Sequence, residues 1–105
     1  MKYGKMIKKI SLILLLLTSY SFADAEEGKK LYVKNLKMLC SMSGLKFTST
    51  HSQDEWEEIF DAGEYVNELK KLCPKIKSSY KKEWTSDLYK FSYKYANDSD
   101  NVPNC

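Results

Sequence analysis

The residues of this chain that could carry chemistry are sulfur atoms and a single imidazole. Met38, Cys40 and Met42 stand two apart, His51 follows eleven residues after Cys40, and Cys73 and Cys105 come later. Two thioethers, a thiol and an imidazole are soft donors that suit Cu(I). On a continuous helix, however, Met38 and Met42 share a face while Cys40 points elsewhere, so the set converges only if the helix has already ended. Methionine as adaptable core filler is the commoner use. An imidazole directly ahead of a helix cap, as at His51, often just hydrogen-bonds its own loop. Met38, Met42 and His51 are therefore ligand candidates, and no copper site is expected.

The three cysteines are better read as staples. Three is an odd number, so at least one thiol is free or paired between chains. Cys40–Cys73, Cys40–Cys105 and Cys73–Cys105 are all possible pairings, and a crosslink closing some tens of residues would contribute roughly 3 kcal/mol. A terminal Cys105 suggests a tail pinned back onto the body. The acids Asp54, Glu55, Glu57 and Glu58 crowd the first turns of one helix, where the dipole favours them, and no acid–base pair is required. No Ser/His/Asp triad, phosphate loop or Cys-x-x-Cys pair can be assembled, so no enzyme activity is expected.

The compartment follows from residues 1–23, which read as a secretory signal. Lys2, Lys5, Lys8 and Lys9 precede an apolar core from Ile10 to Leu17 that is too short to span a bilayer. Ser21-Phe22-Ala23 and Ala23-Asp24-Ala25 are both acceptable cleavage sites, so the mature chain is expected to start at Asp24 or Glu26 in the periplasm. Removing the four signal lysines leaves thirteen lysines against fourteen acids, a net charge of −1. That balance removes the main support for nucleic-acid binding, and no stable membrane insertion is expected after cleavage. Residues 24–105 are expected to form a single domain with a cysteine-pinned tail.

The elements that position these residues are helical, and no strand pattern competes. Helix one starts near Asp24 or Glu26, buries Leu31, Leu36 and Leu39 with Val33 or Tyr32 flanking, and ends over Ser41 to Gly44. A loop from Leu45 to His51 follows. Ser52-Gln53-Asp54-Glu55 is a capping box opening helix two, which carries Trp56, Ile59 and Phe60 and stops near Gly63. Glu64 to Cys73 forms the third, with Tyr65, Leu69 and Leu72 inward, and Pro74 fits the first turn of the next. Ile76, Tyr80, Trp84, Leu88, Phe91 and Tyr95 recur at helical spacing and predict one long helix that Ser78-Ser79 could kink. Trp56 and Trp84 are read as core. The expected fold is all-α, a small bundle of four or five short helices.

The Gly28-Lys29-Lys30-Leu31-Tyr32 stretch resembles the opening of small bacterial class I cytochromes c, in which a Gly-x-x-Leu-Tyr helix leads into Cys-x-x-Cys-His. The resemblance covers Glu26 to Asn35 and implies a cytochrome c-like fold. It then fails where the haem chemistry would begin. Leu36 stands at the first cysteine position, Leu39 at the second and Cys40 at the histidine. No methionine follows Met42 to serve as a distal ligand, so no haem c is expected. The resemblance implies a haem-less binding or accessory protein of a periplasmic redox or envelope system, whose protein partner is unknown. A cytochrome c-type electron carrier or copper-handling protein is the alternative. It also suggests that position 36 once held a cysteine one turn before Cys40.

Overall fold

Gly28 fixes how the first and last helices meet. In the computed structural model, which describes residues 24–101, a Cβ at this position would lie 2.0 Å from the carbonyl oxygen of Asp87 and 2.8 Å from the Cβ of Phe91. Only glycine lets the two backbones approach so closely. The first helix, α1, covers 24–40 and includes a π-helical turn over Tyr32–Leu36 before its last α-helical turn, Lys37–Cys40. The wider turn keeps both Tyr32 and Leu36 fully buried. Tyr32 thus belongs to the core, while Val33 is turned outward.

Four further α-helices follow among the described residues: α2 (Gly44–Thr48), α3 (Gln53–Asp61), α4 (Tyr65–Leu72) and α5 (Thr85–Lys94). The chain is all-helical over this range, and none of these helices is long and apolar enough to cross a membrane. The segment from Leu45, read from sequence as a loop, is instead largely helical. Ser43 caps it by accepting from the Lys46 amide at 3.2 Å, and Gly44 opens α2 rather than closing α1. The stop of α1 is Ser41, in the left-handed conformation with φ 53°. The capping box is present as expected: the Ser52 hydroxyl accepts from the Glu55 amide, and the Glu55 carboxylate accepts from the Ser52 amide at 2.8 Å. That pairing holds the Glu55 carboxyl below the usual range, the backbone hydrogen bond contributing most. Gly63 follows α3 with φ 72°.

The long fourth helix does not form as one piece. Pro74–Ser79 and Lys82–Trp84 are 3-10 turns separated by extended backbone at Tyr80 and Lys81, and regular α5 begins only at Thr85. Apolar spacing alone could not place that break. Its result is that Trp84 lies half-buried against the core instead of inside it.

The core is a run of aromatic rings. Tyr32 stacks on Phe47 at 4.9 Å, Phe47 meets Trp56 at 5.6 Å, and Trp56 meets Tyr65 at 5.6 Å. Their polar atoms are satisfied inside: the Trp56 Nε1–H donates to the Thr48 carbonyl at 3.0 Å, and the Tyr32 hydroxyl donates to the Met42 carbonyl at 2.7 Å. Ser92 donates its one proton to the Leu88 carbonyl at 2.8 Å, so the Tyr65 hydroxyl, 2.7 Å away, is the donor to Ser92. Burial pushes the Tyr65 hydroxyl far above its ordinary range. Residues 1–23, read from sequence as a secretory signal, and the tail from Val102 to Cys105, with the pairing expected of Cys105, lie outside the described residues.

Candidate functional site

The left-handed Ser41 turns the chain away immediately after Cys40, and α4 ends at Leu72 so that Cys73 faces the same place. The two sulfurs are at disulfide distance, 2.21 Å, with Cα atoms 4.9 Å apart across 33 residues. Of the three pairings left open by the sequence, Cys40–Cys73 is formed among the described residues. Cys73 is buried and Cys40 half-buried. The link ties the end of α1 to the start of the irregular 74–84 segment.

The other sequence candidates are dispersed. Met38 is 88% exposed and shares a shallow depression with Lys37, Ser41, Met42 and Ser43. Cys40 and His51 are not among its lining residues. His51 packs edge-on against Trp56 at 4.7 Å and donates from Nε2 to Glu68 at 2.8 Å, with Glu55 3.8 Å from Nδ1. Its carbonyl accepts from the Asn97 amide at 3.1 Å. These contacts join the α2–α3 connection to α4 and to the turn after α5. His51 therefore acts as a tie between elements, its imidazole bonded to α4 rather than to its own loop.

The positions at which a covalently attached haem would be held do not fit that group. Leu36 is fully buried, Leu39 is half-buried, and the Cys40 sulfur is shared with Cys73. The interior behind them is filled by Tyr32, Phe47 and Phe91 in mutual contact. A thioether to haem needs a thiol and an adjacent imidazole, and Ser41 follows Cys40.

Another depression lies elsewhere. A cleft of about 350 Å³ lies between the start of α1 and the outer side of α5, lined by Ala25, Gln53, Tyr89, Lys90, Tyr93 and Lys94 together with Asn101. Lys90 pairs with Asp24, and Lys94 approaches Glu26 at 3.5 Å. The Gln53 side chain donates to the Tyr93 carbonyl at 3.1 Å, and its amide to Asp98 at 2.9 Å. Tyr89 stacks on Phe60 at 4.0 Å. Burial, followed by the nearby Glu57 and Asp61 carboxylates, pushes its hydroxyl up to about 12. The cleft offers two phenols and paired charges. Sequence reasoning passed over it. The signal was present as Tyr89, Lys90, Tyr93 and Lys94, a second stripe at helical spacing beside the core positions Leu88, Phe91 and Tyr95.

Comparison with protein-family models, with curated proteins and with solved structures gives no match to this chain.

Proposed function

We infer that this chain is a small exported helical protein, related in design to a cytochrome c domain but without its haem, that works by binding rather than catalysis. It serves as an accessory partner in a periplasmic redox or envelope system. The observation that supports this reading is the treatment of the stretch Leu36–Cys40. Residues at which haem attachment would begin are committed to packing and to a crosslink, since Leu36 is buried among the core rings and Cys40 is tied to Cys73. A carrier of electrons would need those same positions for its cofactor.

The test uses the full precursor expressed with its signal and recovered from the periplasm. N-terminal sequencing should find a start at Asp24 or Glu26, the absorption spectrum should lack a haem Soret band, and metal analysis should find no stoichiometric copper. A Soret band that persists through denaturation would establish covalent haem and overturn the reading in favour of an electron carrier. Stoichiometric copper would overturn it in favour of metal handling, and an intact Met1 would remove the periplasmic assignment.

A further inference from the structure

The charges of this chain are segregated. From Gly28 to Gln53 it carries Lys29, Lys30, Lys34, Lys37 and Lys46 and no acid; from Asp54 to Glu64 it carries six acids and no lysine. The fold does not bring the two sets into contact. Among the described residues, Lys34, Lys37 and Lys46 form no ion pair, and Asp54, Glu57, Glu58 and Asp61 form none with a lysine. Each set lies next to something apolar. On the outer side of α1, Lys30, Val33, Lys34 and Lys37 follow at helical spacing, and Met38 stands beside them as the most exposed large apolar side chain, with Val33 at 40%. Next to the acidic α3 is a cleft of about 450 Å³ whose lining includes Phe60, Gly63, Tyr65 and Val66 together with Lys82 and Glu83.

We propose that these two faces bind each other between copies of this chain. The lysine-rimmed side of α1 on one molecule docks on the acidic side of α3 on the next, and Met38 enters the Phe60–Val66 cleft. Three features point to a second copy. Both complementary halves are carried on one molecule. A net charge of −1 for the mature chain leaves little long-range repulsion to oppose association. The apolar content of the basic face also suits a protein better than a lipid surface. Its exposed large apolar groups are Val33 and Met38, without the aromatic anchors that seat a helix in a bilayer interface. A flexible thioether is adapted to fill an aromatic-walled cleft. Because the two faces are different patches, the contact is head-to-tail and grows into chains or rings, not a two-fold dimer.

The experiment is sedimentation of the mature protein carrying Cys105→Ser, which removes any crosslink through the tail. At about 0.01 M salt the average mass should rise with protein concentration up to about 1 mM, and at about 1 M salt it should return to the monomer. Lys34→Gln with Lys37→Gln should be monomeric alone, as should Glu57→Gln with Glu58→Gln. An equimolar mixture of the two variants retains one intact basic face and one intact acidic face, so it should form a 1:1 complex that grows no further. This recovery would also show that both variants are folded. A monomer at every concentration in low salt, or variants that associate like the parent, would overturn the proposal. So would a monomeric parent that co-sediments with vesicles of phosphatidylglycerol, since the basic face would then belong to a lipid surface.

Discussion

The two ends of α1 are held by opposite means. At its start, the absence of a side chain at Gly28 lets the backbone rest against Asp87, and the Asp24–Lys90 pair closes the contact from outside. At its end there is no comparable helix-on-helix contact. The neighbouring segment from Pro74 to Trp84 is made of short 3-10 turns, and a sulfur bridge supplies the attachment. Where regular helices can approach closely, packing is enough; where the chain is irregular, a covalent link substitutes for buried area. In a domain of this size the core alone gives modest stability, so both attachments matter.

The comparison can be broken most severely at the crosslinked end. Reduction, or Cys73→Ser, should lower the unfolding free energy by about 4 kcal/mol, the scale for closing a loop of some 33 residues. Urea denaturation with and without reductant measures it. Alkylation of the native oxidised protein should find one thiol per chain, that of Cys105; three thiols would contradict the link.

Gly28→Ala attacks the packed end and should cost about 3 kcal/mol, near the upper part of the usual range for overpacking. The nearest atoms it would strike, the Asp87 carbonyl carbon and oxygen, are backbone and cannot rotate aside. The same loss should appear in oxidised and reduced protein, because positions 28 and 40 are separated by about 18 Å of helix and distant sites add. A strongly non-additive result would show that the two ends are one cooperative unit.

Trp84→Ala sharpens the description of the irregular segment. A ring fully inside the core, such as Trp56, should cost about 4 kcal/mol when truncated. Half-buried Trp84 should cost about half as much, and a loss equal to that of Trp56→Ala would return it to the core.

The smallest effect is expected at the outer edge of the packed end. A chain beginning at Glu26 lacks the Asp24–Lys90 pair and the buried Ala25 methyl. It should be less stable than one beginning at Asp24 by about 1 kcal/mol, the sum of one methyl and a partly exposed pair. Parallel thermal unfolding of the two chains decides it.

Several elements were legible residue by residue. The capping box at Ser52 and Glu55 works through hydrogen bonds only three residues apart, so sequence specifies it directly. The same locality made Gly63 readable as a stop and Pro74 as a first-turn residue. The all-helical class followed from apolar spacing. Of the candidate site, the sequence supplied the cysteines and His51 but not their partners. The tyrosine–lysine cleft was not legible because its walls come from the start of α1, Gln53, α5 and Asn101, which only the fold brings together.

What the sequence determined by itself is what depends on neighbours within a turn or two: helix starts, caps, charge blocks and the residues able to crosslink. Tertiary structure alone decided that Cys40 meets Cys73, that Tyr32 and not Val33 enters the core, and that the segment from Pro74 to Trp84 breaks into short turns. Those outcomes turn on contacts between residues tens of positions apart. Periodicity along the sequence carries no measure of those distances.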